Sequence, residues 1–151
     1  MIVGSKLFST KSLQSSFLLL CTLCKQSYYH SLKRRHHESL HNSRELAMRL
    51  LAFEGLIDLC GSAGDHFSSS KIVGYLVRRL VVSCILANAS ESMKIHRLFC
   101  KILRLINVLW KIWRTHVRME FALLSEFFVV RVLLAEKGQI RPEFQMTVIG
   151  T

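Results

Sequence analysis

Two cysteines and two histidines near the start of the chain have the spacing of a zinc-finger ligand set. Two residues separate Cys21 from Cys24, twelve separate Cys24 from His37, and three separate His37 from His41. This spacing lets a hairpin and a helix bring four ligands to one tetrahedral zinc ion. One of the two candidate functions for this chain is therefore that of a basic, zinc-finger-containing nucleic-acid-binding protein; it is the alternative to the function favoured below.

The residues around these four do not complete the zinc-finger pattern. A finger requires a leucine three residues before its first histidine, where this chain has Arg34. The apolar run 17–20 (FLLL) leads directly into the cysteines, which is typical of a helical core face rather than of a turn. The total of five cysteines is odd and favours free thiols in a reducing compartment. We therefore predict no bound metal.

The sequence offers few groups that could catalyse a reaction. Aspartate and glutamate together number only 10, and no two of them share apolar surroundings that would separate their pKa values. Gly61 and Gly64 are placed at a predicted helix end and not in a phosphate-binding loop after a strand. No feature marks an activated nucleophile. We predict a non-enzymatic chain with no catalytic residue and no cofactor.

A row of basic residues along a predicted helix is the strongest candidate for a binding surface. The candidate partner-binding residues are Lys94, Arg97, Lys101, Arg104, Lys111 and Arg118. The first five recur at steps of three, four and seven residues, which places them on one helix face. Such a face can bind anions, and the same pattern also occurs on helices whose charged side contacts only water.

The overall charge favours anionic partners without choosing among them. Lysine and arginine outnumber aspartate and glutamate by 21 to 10, which gives a formal net charge of +11. This positive charge is complementary to nucleic acid, to an acidic lipid surface and to an acidic protein alike. A nucleic-acid partner is disfavoured because Trp110 and Trp113 are both expected on the apolar face of the helix that carries the basic row. This leaves no exposed aromatic residue for base stacking.

The elements that position the basic row are predicted to be helices. Between Ile95 and Trp113 apolar residues recur every three or four positions, whereas residues 117–134 are apolar almost all round. These halves of the 94–134 stretch form an antiparallel hairpin that turns near Arg114–Thr115. The expected core anchors are Phe53, Trp113 and Phe128.

Further helices are predicted on both sides of the hairpin. The first runs from about residue 12 to 29, the second from Ser43 to an end at Gly61 and Gly64, and the third over 71–87. Pro142 is suited to open a last helix. The predicted fold is all-α: an armadillo-like helical solenoid or an irregular bundle of five to six helices. A flexible N-terminus (1–12) precedes one helical regulatory domain (13–149) that is expected to be truncated at its C-terminal end.

Three blocks, taken in order, resemble a known family. Residues 17–25 (FLLLCTLCK) are similar to an early Phe-x-x-x-x-x-Leu-Cys-Lys helix of that family. Residues 51–57 (LAFEGLI) are similar to its Leu-Ser-Leu-Glu-Leu-Leu-Leu helix. The Ala63-Gly64 pair and Phe67 that follow resemble the Ala-Gly-Pro turn after that helix. Residues 115–119 (THVRM) are close to Thr-His-Leu-Lys-Met. Together they resemble the region upstream of the catalytic domain in large brefeldin A-inhibited Golgi exchange factors for Arf GTPases.

The resemblance covers roughly residues 13–149 and departs from the family at a few positions. Asp65 replaces the proline of the turn, Glu120 a glutamine and Ala122 a glutamate, and the chain stops before the family's Asn-Tyr-Asp-Cys-Asp box and catalytic domain. The resemblance implies a non-catalytic regulatory segment that docks onto other exchange-factor segments, binds Arf or Arf-like GTPases, self-associates and contacts acidic Golgi membrane. It implies a cytoplasmic location on Golgi or trans-Golgi membranes.

Overall fold

A computed structural model describes residues 11–24, 44–134 and 142–150, and every regular element in these ranges is helical. Helix α1 covers residues 11–24. The helices that follow are α2 (Arg44–Phe67), α3 (Lys71–Leu76, the π-helical Val77–Val81 and Val82–Ala87), the short α4 (Ala89–Ser92), α5 (His96–Ser125), α6 (the π-helical Glu126–Val130 and Arg131–Leu133) and α7 (Pro142–Gly150). The predicted all-α fold is confirmed.

Helices α1 and α3 run in the same direction. The thiol of Cys84 donates to the carbonyl of Cys21 at 3.3 Å, and one turn further on the side-chain amide of Asn88 donates to the carbonyl of Cys24 at 3.4 Å. Residue numbers therefore rise together along the contact. The predicted end of α1 near residue 29, and Ser43 as the cap of α2, lie outside the described residues.

Helices α2 and α5 are parallel as well. Glu54 contacts Lys101, and further along both helices the indole nitrogen of Trp113 donates to the carbonyl of Cys60 at 3.0 Å. Alternate long helices of the chain thus point the same way. That is the pattern of helical pairs stacked side by side, as α-solenoids stack them.

The chain reverses direction within α5, as the predicted hairpin requires. The rings of Trp110 and Phe121 stack with their centroids 4.2 Å apart, and the centroids of Phe99 and Phe128 are 6.2 Å apart. In a straight helix the second pair would be more than about 40 Å apart, at roughly 1.5 Å per residue. The hairpin is therefore confirmed.

The predicted position of the turn, at Arg114–Thr115, is wrong by a few residues. Both residues are helical and exposed, and the non-helical residue is Val117, with φ −119° and ψ 21°. Val117 is fully buried, and the ring nitrogen of the preceding His116 lies 2.8 Å from the carbonyl of Ser68. These contacts with the end of α2 set the position of the turn. They join residues that are far apart in the sequence, so the polar pair Arg114–Thr115 does not reveal them.

Helix α2 continues past the glycines that were expected to end it. It runs to Phe67 and includes both Gly61 and Gly64. At Gly64 a Cβ atom would lie 2.1 Å from Cγ2 of Ile112 in α5, whereas at Gly61 it would meet nothing within 4 Å. Gly64 therefore permits the close approach of α5 and does not terminate α2.

The three expected core anchors are buried. Trp113, Phe53 and Phe128 are each 0 % exposed. The indole N–H of Trp113 keeps a hydrogen bond in the core through the carbonyl of Cys60, so burial of this ring leaves no donor unpaired.

A buried polar contact fastens α2 to the end of α3. The guanidinium of Arg49 donates to the side-chain oxygen of Asn88 at 3.0 Å, and the Asn88 amide donates to the carbonyl of Cys84 at 2.9 Å. Both side chains are 1 % exposed. Burial lowers the pKa of Arg49, and the carboxylates of Glu91 and Glu45 partly oppose this shift.

The last described helix begins at Pro142, as predicted. Its Phe144 is 1 % exposed and packs against Phe99, with the ring centroids 4.8 Å apart. The side chain of Gln145 donates to the carbonyl of Val132 at 3.1 Å, which joins α7 to α6. At the other end of the chain, residues 11 and 12 already belong to α1.

The two tryptophans provide a matched test of the core. Trp113→Ala removes a fully buried ring and should lower the free energy of unfolding by about 3–5 kcal/mol. Trp110→Ala removes a ring that is 40 % exposed and should cost about 1 kcal/mol, mainly the stacking on Phe121. Urea titrations of both variants measure the difference, and equal losses would contradict this packing.

The two glycines of α2 provide a second matched pair. Gly61→Ala should raise the free energy of unfolding by about 0.5–1 kcal/mol, because alanine is the better helix former and its methyl group meets open space. Gly64→Ala should lower it by about 1–3 kcal/mol, because Ile112 must move. Thermal or urea unfolding gives the sign of each change, and a stabilising Gly64→Ala would refute the close approach of α5 to α2.

Candidate interaction surface

Four of the six predicted partner-binding residues form one row. We call the following residues, which share a face of α5, the basic row: Arg97, Lys101, Arg104 and Lys111. Of the remaining two, Lys94 lies in the turn before α5 and Arg118 follows the break at Val117, and both are exposed. Of the six predicted residues, the four of the basic row therefore form a continuous surface in the structure.

A carboxylate from α2 pairs with the middle of the basic row. The Nζ of Lys101 contacts the Oε2 of Glu54, and the Nη1 of Arg104 lies 3.5 Å from the same oxygen. The hydrogen bond from Lys101 lowers the pKa of Glu54; burial opposes this shift, and the charges of Lys101 and Arg104 add to it. Arg97 and Lys111 are exposed and have no carboxylate partner within the described ranges.

Arg97, Lys101 and Arg104 of the basic row form one wall of a groove between α2 and α5. The groove has a volume of about 620 Å³, and its opposite wall is apolar: Ala47, Leu50 and Leu51. Leu51 is 74 % exposed and adds apolar surface to this wall. The groove therefore combines cations with apolar surface and falls within the volumes typical of ligand sites, roughly 300–1,000 Å³.

A thiol and an imidazole lie at the N-terminal end of the groove. The Sγ of Cys100 is 3.8 Å from Nδ1 and 3.6 Å from Nε2 of His96, and Nε2 is 2.7 Å from the hydroxyl of Thr147. That hydroxyl donates to the carbonyl of Glu143 at 2.7 Å, so its oxygen can accept a hydrogen bond from Nε2–H of His96. Of the chain's five cysteines, all within the described ranges, Cys100 alone is not buried.

The cysteines of the proposed zinc set are core residues. Cys21 is 3 % and Cys24 0 % exposed, and both lie within α1, as the apolar run before them predicts. Their neighbours in the core include Cys84, and burial together with Cys21 raises the pKa of the Cys60 thiol. His37 and His41 lie outside the described residues. Within the part of the chain that the structure describes, no three His, Cys, Asp or Glu side chains are grouped to hold a metal ion.

One expectation about the aromatic residues is wrong. Trp113 belongs to the apolar seam, but Trp110 is 40 % exposed, because its ring leaves the core and stacks on Phe121. One face of the Trp110 ring is therefore covered by the returning helix. His96 and His116 are both hydrogen-bonded, His96 to the hydroxyl of Thr147 and His116 to the carbonyl of Ser68.

Comparisons with protein-family models, with curated proteins and with solved structures found no match to this chain. Among the described helices, none is long and apolar enough to cross a bilayer.

Sequence reasoning missed the two residues that define the groove from the α2 side. Glu54 is 47 positions away from Lys101, so no local spacing links the two. Leu51 sits next to the buried Leu50 and reads as part of the same apolar face. The packing of α2 against α5 leaves Leu51 exposed at the groove, whereas Leu50 is buried and belongs both to the core and to the groove wall.

The ion pair of Glu54 should make stability depend on pH. Because the pKa of Glu54 is lowered in the folded chain, its contribution is present above its ordinary value of 4.5 and is lost as the pH falls through that region. Glu54→Gln should therefore be less stable than the parent chain at pH 7, by less than about 1 kcal/mol since the pair is partly exposed. At a pH well below the lowered pKa of Glu54, where its carboxyl group is protonated in the folded chain, the two should be equal.

The measurement is urea unfolding of both chains between acidic and neutral pH. Asp58→Asn, one turn further along α2 and without an ion pair in the described residues, is the control and should show a smaller difference at pH 7. If the loss caused by Glu54→Gln were the same at all pH values, the charge of Glu54 would not be its source.

Proposed function

We propose that this chain is a non-catalytic regulatory and scaffolding segment of the kind found upstream of the catalytic domain in Golgi Arf exchange factors. In this role it acts in vesicle transport from the cytoplasmic side of Golgi or trans-Golgi membranes. Its partners are Arf or Arf-like GTPases, other exchange-factor segments, further copies of itself and acidic lipid. The basic surface, comprising the basic row with Lys94 and Arg118, makes the contacts.

The observation that carries this proposal is the exposure of cations on α5 that have no carboxylate partner among the residues the structure describes. Arg97 and Lys111 are exposed on α5, whose apolar side is buried against α2, so their backbone positions are fixed. Cations held in this way attract an acidic surface without first ordering a loop.

The family resemblance supports the proposal at one structurally distinct place. The block at residues 115–119 spans the break in α5, where His116 bonds to the carbonyl of Ser68 and its ring covers Gly74. A Cβ at Gly74 would lie 2.1 Å from Nδ1 of His116. The resembling residues thus include His116, which makes these contacts next to the break in α5.

Charge reversal on the basic surface tests the proposal. The double variant Arg97→Glu/Lys111→Glu should bind vesicles containing phosphatidylserine, and GTP-loaded Arf, at least about tenfold more weakly than the parent chain, because each basic residue near an anionic surface contributes about 1 kcal/mol. The matched control Lys71→Glu/Arg79→Glu makes the same change in net charge on exposed positions of α3. Vesicle co-sedimentation and pulldown with purified GTPase provide the two readouts.

The control separates a defined surface from net charge alone. A loss of less than about threefold for the α3 variant is expected, since its charges are away from the basic row. Equal losses for both variants would show that only net charge matters. Unchanged binding by the α5 variant in both assays would refute the proposed role of this surface.

A further inference from the structure

We infer that the groove between α2 and α5 is a binding site for a short, acidic, amphipathic helix of a partner protein. The inference rests on the proposed function, of which it specifies one protein contact. Its elements are the basic wall (Arg97, Lys101 and Arg104), the apolar wall (Ala47, Leu50 and Leu51) and the carboxylate of Glu54 between them.

The charges of the groove call for an anionic ligand. Three cations face one carboxylate, and Arg97 has no acidic partner within the described ranges. Arg97 and Lys101 are one helical turn apart and Arg97 and Arg104 about two, which corresponds to roughly 6 and 10 Å along α5. Carboxylates on one face of a docked helix repeat at the same intervals.

The apolar wall explains why the ligand is an amphipathic peptide. Leu51 is 74 % exposed at the groove and would be covered by an apolar side chain of the ligand. A nucleic-acid backbone offers no apolar group to this wall, and a bilayer surface is too flat to fill a recess between two helices. A helix that lays apolar residues between α2 and α5 and points glutamates at α5 satisfies both walls.

Glu54 occupies part of the anion site in the unliganded chain. It satisfies Lys101 and Arg104, so a ligand carboxylate must compete with it for these two cations. Glu54 therefore disfavours the binding of weakly acidic ligands. Such a ligand gains no binding free energy by replacing an ion pair that Glu54 already makes. Removing the charge of Glu54 should therefore increase affinity for the acidic ligand.

Cys100 supplies a reporter within the site. It lines the groove, and it is the one cysteine of the five that is not buried. A bound helix should cover it and slow its alkylation, whereas the buried thiols react only when the chain unfolds. Mass spectrometry of the alkylated peptides distinguishes Cys100 from the others.

The experiment uses a synthetic peptide of about three helical turns, with leucines on one face and glutamates beside them. It is compared with the same peptide carrying glutamine or lysine in place of glutamate. Fluorescence anisotropy measures affinity, and alkylation of Cys100 reports where the peptide binds. Only the glutamate peptide should bind measurably and slow the alkylation several-fold.

Variants at exposed positions identify the walls without disturbing the core. Leu51→Ser should weaken binding of the glutamate peptide about tenfold or more, and Arg97→Gln about threefold to fivefold. Glu54→Gln should strengthen it. Lys71→Gln, which removes the same charge at an exposed position of α3 outside the groove, is the matched control and should leave the affinity unchanged.

Several results would overturn the inference. These are equal binding of the glutamine or lysine peptide, binding without protection of Cys100, or equal effects of Lys71→Gln and Arg97→Gln. Phosphatidylserine vesicles or a single-stranded oligonucleotide that protect Cys100 better than the peptide would assign the groove to another ligand. The proposed function fails separately, through unchanged vesicle and GTPase binding by the Arg97→Glu/Lys111→Glu variant.

Discussion

The close approach of α5 to α2 is the constraint on which the rest of the structure depends. Gly64 leaves the space that Ile112 occupies, and one residue further along α5 the indole of Trp113 enters the core and donates to the carbonyl of Cys60. A larger residue at position 64 would separate the helices at this point. Apolar burial supplies most of the stabilisation, and the indole hydrogen bond gives the contact a defined register.

This register determines the candidate binding surface. With Trp113 seated on Cys60, the two helices run parallel and Glu54 comes opposite Lys101 nearer their N-terminal ends. The groove, the ion pair and the exposed position of Leu51 all follow from that alignment. The pairing of Glu54 with Lys101 and Arg104 and the hydrogen bond of Trp113 to Cys60 are therefore parts of one arrangement of the two helices.

The sequence predicts what depends on neighbouring residues and misses what depends on distant ones. Periodicity was sufficient for the all-α fold, the hairpin of residues 94–134, the helix start at Pro142 and the burial of Trp113. The end of α2 and the turn at Val117 were misplaced, because Gly64 and His116 act through contacts with other helices. The basic row was predictable from spacing, whereas its partner Glu54 was not.

Hydrogen exchange of the two indole N–H protons, followed by NMR, tests the approach of α5 to α2 most directly. The N–H of Trp113 is buried and bonded to the Cys60 carbonyl, so it should exchange only when the chain unfolds. The partly exposed Trp110 provides an internal reference and should exchange far faster. Rapid exchange of both protons under native conditions would contradict the packing of Trp113 against α2.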